Sequence, residues 1–173
     1  MWKQIIAPTV VWHRTNILLV RVMTLSHSNG MQSHISVDRF NGILAETTPA
    51  AAFLGIRAEW IGVGEARARI NFSKNALRSG GTYSGPALMA LIDVSMYAAV
   101  LGMTGDDPRA LTTNIAITFL GRASARDLVA HCTLLNRGSE FLVGSIVVTS
   151  DGDDADLICT STCTYALPPR ASE

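Results

Sequence analysis

The stretch PALMALIDVSMYAAVLGM, residues 86–103, decides the fold, because it carries a single charge, Asp93, in an otherwise apolar run. Its length would suit a membrane span, but its alanine and glycine content and the central carboxylate favour a helix buried in a protein core. Pro86 suits the first turn of a helix, where no backbone N–H is needed. Gly105–Pro108 ends the run, so we predict one long central helix.

Alternating patterns on both sides of this helix predict β-strands. Residues 57–60 and 65–70 alternate around a turn at residues 62–64 and predict a hairpin in which Ala58 and Trp60 share a face. A helical stripe from Val37 stops at Pro49. Short links between strands favour antiparallel neighbours, which predicts an α+β fold with a curved antiparallel sheet wrapped around the helix. The strands predicted after the helix are Leu111–Leu120, Asp127–Asn136, Glu140–Thr149 and Asp156–Leu167.

Composition narrows the classes of partner. Hydrophobic residues make up 48% of the 173 residues, charged residues 16%, and the formal net charge is zero. A nucleic acid or an anionic membrane calls for a basic face, so we expect neither as a partner. The three cysteines have no C-x-x-C spacing and favour a reducing, cytoplasmic location. The four histidines lack metal-ligand spacing, so we predict no metal site.

The chain is predicted to contain one domain. Residues 1–35 are predicted to be an N-terminal extension, either disordered or the product of an upstream start. Residues 36–168 form the predicted domain, and residues 169–173 form a C-terminal tail.

Two features of the central helix suggest catalysis. An isolated buried carboxylate is costly, so Asp93 is either part of a satisfied polar network or a functional acid. The backbone N–H of Gly85 at the helix N-terminus suits a developing oxyanion, although Ser84 and a glycine-rich loop also fit an ordinary helix cap. Eight residues separate Gly85 from Asp93, or roughly 12 Å along a helix. Because both cannot reach one carbonyl within a chain, a catalytic role for both implies a homodimer with antiparallel helices.

The segment Gly81–Asp93 resembles the G-x-x-H-G-G-x-x-x-x-L-x-D signature of the PaaI-type hotdog thioesterases of phenylacetate degradation. Residues 111–120 are similar to the strand that follows the helix in that family, and the likeness extends from about Phe53 to Tyr165. The resemblance implies a hotdog fold, acyl-CoA as substrate, and a homodimer or dimer of dimers. It implies no cofactor other than coenzyme A as part of the substrate.

The resemblance also implies roles for individual residues. Asp93 would act as general base or nucleophile, the Gly85 N–H of the partner subunit would bind the carbonyl oxygen, and Thr112 would position water or the carboxylate.

Three positions depart from the family: Ser84 replaces the histidine, Pro86 the second glycine, and Arg78 the upstream asparagine. Ser84 can still donate to the carbonyl, and Arg78 can hold an acyl carboxylate or a carrier phosphate, pair with the partner's Asp93, or remain solvated. The residues expected to contact substrate are Arg78, Pro86, Met89 and Asn114.

The sequence therefore predicts hydrolysis of an acyl thioester to a free acid and a thiol. We expect acyl-CoA as the substrate in preference to a carrier-protein thioester. The alternative is a non-catalytic hotdog module that binds acyl-CoA or a hydrophobic acid, suggested by the departures at Ser84 and Arg78. A fold-related hydratase is the third hypothesis, but the Asp/His pair that it needs is not evident in the sequence.

Overall fold

The computed structural model describes residues 32–123, 125–151 and 153–168. Two short helices precede a β-hairpin, a 3₁₀ turn at Lys74–Ala76 leads into the long helix, and four strands follow. The predicted element order is therefore confirmed, as are the first predicted helix and its break at Pro49. The elements are α1 Val37–Thr47, α2 Pro49–Phe53, β1 Ile56–Gly62, β2 Glu65–Ile70, α3 Gly85–Thr104, β3 Leu111–Phe119, β4 Leu128–Arg137, β5 Phe141–Ser150 and β6 Asp153–Ala166.

The strands form one antiparallel sheet in the order β1-β2-β4-β5-β6-β3. Strands β1 and β3 are its edges, and β3 pairs only with β6 among the described residues. The sheet curves around α3, which packs against all six strands. This is the hotdog arrangement that the resemblance implies.

Helix α3 forms the centre of the core. Twelve of its residues are buried, and Leu91, Ile92 and Met96 are fully so. α3 is long and apolar enough to cross a membrane by length and composition, but 67% of its most apolar window is buried inside the protein. The prediction of a buried core helix is confirmed, although the helix begins one residue earlier than predicted, at Gly85.

One prediction about β1 is wrong. A bulge lies between Ala58 and Trp60, so that Ala58 pairs with Ala68 but Trp60 pairs with Arg67. The extra residue moves Trp60 to the face opposite Ala58, where it is 46% exposed. Regular alternation would have placed both on one face, and the sequence contains no signal for the bulge.

The chain ends lie partly outside the described residues. The predicted extension falls there for residues 1–31, and the predicted tail falls there entirely. From His34 onward the chain contacts the core: the His34 N–H donates to the carbonyl of Gly102 at 2.9 Å, and Ile35 is buried.

Candidate active site

Asp93 lies on the one stripe of α3 that the sheet leaves uncovered. After the first residue of the helix, the partly or fully exposed positions before the last turn are Pro86, Met89, Ala90, Asp93 and Tyr97. Their spacing of three to four residues places them on one helix face. The carboxylate is therefore half-buried and sits at the margin of the core.

Two hydroxyl groups hold one oxygen of this carboxylate. Thr112 Oγ1 donates to Asp93 Oδ1 at 2.7 Å, and Tyr165 Oη donates to the same atom at 2.7 Å. Tyr165 Oη also lies 3.3 Å from the Asp93 carbonyl oxygen. Oδ2 of Asp93 has no hydrogen-bond partner among the described residues. The arrangement fixes the carboxylate and leaves its second oxygen free for chemistry.

Sheet register explains why Thr112 and Tyr165 meet. They are direct partners in the β3–β6 ladder, so their side chains emerge side by side on the inner face. Burial, together with the negative charge of Asp93, holds the pKa of Tyr165 far above its usual value. The phenol therefore stays protonated and remains a hydrogen-bond donor to the carboxylate.

Sequence reasoning identified Asp93 and Thr112 but missed Tyr165. The available signal was the inward alternation of Cys159, Cys163 and Tyr165 along β6. That alternation predicts that the Tyr165 phenol lies on the inner face of the sheet. Only the register of β6 against β3 shows that the phenol reaches Asp93.

The second group of predicted residues surrounds the N-terminus of α3. Ser84 caps the helix, its Oγ accepting from the Ala87 N–H at 3.3 Å. The Gly85 N–H follows the cap and has no hydrogen-bond acceptor among the described residues. A free N–H at the positive end of a helix dipole is suited to a carbonyl oxygen that gains charge.

A cavity of about 460 Å³ opens beside this N–H. Phe119 forms part of its apolar wall: a Cβ built on Gly85 would lie 3.9 Å from Phe119 Cζ. Arg78 also lines this cavity. Its charged, aromatic and helix-terminal lining residues include Arg78, Tyr83, Gly85, Leu88, Phe119 and Arg122.

Three further expectations have mixed outcomes. Pro86 and Met89 lie on the exposed stripe of α3, and Met89 is 46% exposed. Asn114 pairs with Thr164 on the outer face of the sheet, opposite to Thr112, so the structure does not bring it to Asp93.

Within one chain the two groups of residues remain apart. Gly85 and Asp93 occupy one continuous helix, which separates them by roughly 12 Å. Each chain therefore carries a carboxylate centre, formed by Asp93, Thr112 and Tyr165, and an N–H centre around Gly85. In the described part of the chain, no group of three His, Cys, Asp or Glu side chains could hold a metal ion.

Comparison with known proteins gives one family. The family model described as "Thioesterase superfamily" matches residues 80–156. No curated protein matches the chain. A candidate thioesterase from Silicibacter sp. TM1040 is 37% identical, with a TM-score of 0.72, and the match covers 82% of this chain and 97% of that one.

Two more distant structures share the fold. A thioesterase from Haemophilus influenzae is 17% identical over 83% of this chain and 99% of its own, with a TM-score of 0.72. A mutant of the phenylacetic acid degradation protein PaaI from Thermus thermophilus is 21% identical over 69% of this chain and 99% of its own, with a TM-score of 0.61.

Proposed function

The chain belongs to the thioesterase superfamily and is a thioester hydrolase, and we propose that it hydrolyses acyl-CoA at sites shared between two subunits. The observation that carries this proposal is the carboxylate of Asp93, held through Oδ1 by Thr112 and Tyr165 with Oδ2 free. A fixed carboxylate with one available oxygen suits a general base or a nucleophile.

The uncovered edge of β3 supports the dimer. Alternate residues of this nine-residue strand direct backbone groups away from β6, where no described residue pairs with them, and Leu111 and Phe119 at its ends are 67% and 55% exposed. A long apolar edge strand is a template for pairing with another chain. The exposed stripe of α3 lies on the Thr112 side of this edge, so one partner would cover both surfaces.

Symmetric pairing of two β3 strands would join the two centres. Antiparallel pairing about Ile115, the middle of β3, would set Thr112 opposite Ile117 of the partner subunit, because the bulge at Thr113 adds one residue between Thr112 and Ile115. Thr112 contacts Asp93, and Ile117 shares the inner face with Phe119, whose ring lies beside Gly85. Each Asp93 would thereby approach the Gly85 N–H of the partner subunit, giving two equivalent sites. A dimer of dimers is a compatible higher assembly.

The proposed reaction follows from these positions. The thioester carbonyl oxygen accepts the Gly85 N–H of one subunit, while Asp93 Oδ2 of the other removes a proton from water. The resulting hydroxide attacks the carbonyl carbon, and the N–H stabilises the charge on the oxygen. The C–S bond then breaks, and the proton on Asp93 passes to the departing sulfur.

A nucleophilic route uses the same atoms. Oδ2 attacks the carbonyl carbon, the thiolate leaves and takes a proton from solvent, and water hydrolyses the mixed anhydride. Ser84 can donate its hydroxyl proton to the carbonyl oxygen while its Oγ caps α3. Both routes use water and the carboxylate, so we propose no cofactor beyond the coenzyme A of the substrate. The three free thiols support a cytoplasmic location.

The test is release of free thiol from a panel of acyl-CoA thioesters. We expect Asp93→Asn to lose about 10²–10⁴-fold in kcat, because a general base contributes that much. Asp154→Asn removes an exposed carboxylate at the start of β6 and serves as the matched control. Normal turnover by a folded Asp93→Asn protein would refute the mechanism, and tight binding of acyl-CoA without thiol release by the wild-type chain would favour the binding module.

A further inference from the structure

The cavity beside Gly85 carries an uncompensated positive charge. Arg78 and Arg122 both line it, and none of the described residues that line it is acidic. Neither guanidinium has an ion pair or hydrogen bond to another described residue. Other arginines are engaged: Arg69, for example, contacts three carboxylates. Two free guanidiniums near a helix N-terminus create a local potential that attracts anions.

The position of this charge ties it to the substrate of the proposed reaction. Gly85 lines the same cavity as the two arginines. If the thioester carbonyl binds at the Gly85 N–H, one arm of the same molecule extends into the cavity. Leu88 and Phe119 line the cavity and offer apolar contacts to the carbon chain of that arm, and the two guanidiniums would meet a charge carried on it.

We propose, on the basis of the function proposed above, that Arg78 and Arg122 bind an oxyanion of the substrate. A guanidinium forms paired charge-assisted hydrogen bonds with a carboxylate or a phosphate, which share this geometry. The oxyanion is either a carboxylate at the far end of a short acyl chain or a phosphate of coenzyme A. The site thus selects thioesters that carry a carboxylate or a phosphate on the arm that enters the cavity.

The experiment separates these two sources with four substrates. Glutaryl and pentanoyl groups have the same chain length and differ in one terminal carboxylate. Each is presented on coenzyme A and on N-acetylcysteamine, which has no phosphate. KM and kcat are measured for the wild-type protein, Arg78→Gln, Arg122→Gln and Arg126→Gln. Arg126 lies in the same loop as Arg122, is exposed and does not line the cavity, so it is the matched control.

Arg78→Gln and Arg122→Gln each remove a charge-assisted hydrogen bond to the oxyanion. Each variant should therefore raise KM about tenfold for the substrate that carries this oxyanion. Selective loss with both glutaryl thioesters supports the acyl carboxylate, and loss with both coenzyme A thioesters supports the phosphate. Unchanged KM for all four, or an equal loss with pentanoyl N-acetylcysteamine, would overturn the proposal. The Asp93→Asn result is independent, because it lowers kcat with every thioester.

A different observation supports a second inference, about Tyr165. This side chain is 3% exposed and stacks on Tyr97, with ring centroids 6.2 Å apart and planes at 21°. Tyr97 in turn contacts Phe40 of α1, with centroids 5.5 Å apart. Three aromatic rings from α1, α3 and β6 therefore fix the phenol that contacts Asp93.

We infer that Tyr165 is a positioning residue that orients the Asp93 carboxylate. With Thr112 it occupies Oδ1, so that Oδ2 is directed to the reacting carbonyl or water. Loss of the phenol leaves the substrate contacts intact but allows the carboxylate to rotate. The effect should therefore appear in kcat and leave KM unchanged.

Tyr165→Phe keeps the ring and removes only the hydroxyl. We expect kcat to fall about tenfold, as for one lost hydrogen bond to a charged group, with KM unchanged. Tyr97→Phe is the matched control, because the Tyr97 hydroxyl has no hydrogen bond to another described residue. A drop in thermal stability with normal kcat would show a purely structural role and would overturn the inference, as would an equal loss of kcat in Tyr97→Phe.

Discussion

Thr112 Oγ1 lies 2.7 Å from Asp93 Oδ1, although Thr112 belongs to an edge strand and Asp93 to the central helix. A bulge in β3 between Thr112 and Asn114 allows this contact, because it sets Thr112 beside Tyr165 on the inner face. Thr113 occupies the bulge and donates its hydroxyl to the Thr164 carbonyl at 3.1 Å. The bulge thus aims one side chain of an otherwise exposed strand at the carboxylate.

Substitution at Thr112 tests what this contact contributes. Thr112→Val has nearly the same shape and removes the donor, so kcat should fall about threefold to thirtyfold, less than for a buried bond because the site is exposed. Thr112→Ser retains the hydroxyl and should keep most of the activity. The two variants are compared by kcat with one acyl-CoA substrate. A valine variant with a kcat equal to or above that of the serine variant would contradict a role for the hydroxyl.

A shared site between subunits predicts complementation of two inactive variants. Gly85→Pro removes the free N–H, and proline is tolerated in the first turn of a helix. Asp93→Asn removes the carboxylate. A heterodimer of these two chains would contain one site with both native groups, so a randomly remixed sample should recover about a quarter of wild-type activity.

The control for this experiment is Gly85→Ala, which retains the N–H. An alanine Cβ would meet only Phe119 Cζ at 3.9 Å, an ordinary contact, so the variant should fold and remain active. Activity is measured before and after the two inactive proteins are unfolded, mixed and refolded together. No recovery in a sample with proven heterodimers would place both groups of a site in the same chain and rule out the shared site.

Much of the fold and about half of the candidate site could be predicted from the sequence. A single charge in an apolar helix made Asp93 a candidate, and the family resemblance supplied its role. Hydrophobic patterning together with turn residues located α3 and six strands. Bulges were not predictable, because each adds one residue without a distinct composition. We expected Asn114 to contact substrate, and regular alternation from Thr112 would place it on the inner face, but the β3 bulge puts it on the outer face. Tyr165 required a long-range strand register, which local sequence does not encode.

Close packing of α3 on the hairpin predicts a large stability effect at Gly102. A Cβ there would clash with the Gly62 carbonyl oxygen and would lie 2.7 Å from Ile61 Cγ2. Gly102→Ala should therefore lower the free energy of unfolding by about 1–3 kcal/mol, as overpacking typically does. Gly42→Ala in α1, where a Cβ would meet nothing within 4 Å, should raise it by about 0.5–1 kcal/mol. Urea denaturation measures both, and equal effects of the same sign would contradict this packing.

The buried thiols predict how stability depends on pH. Burial raises the pKa of both Cys159 and Cys163 from 9.0 to about 11. Since the folded pKa exceeds the unfolded one, their contribution to stability is complete below about pH 9 and is lost as pH rises toward about 11. The urea midpoint should fall steadily from about pH 8.5 to about pH 10.5.

In the native protein at about pH 8 the thiols should resist iodoacetamide, because they are buried and protonated, and all three should react once the chain is unfolded. Rapid alkylation of the native protein would show that these cysteines are not in the core.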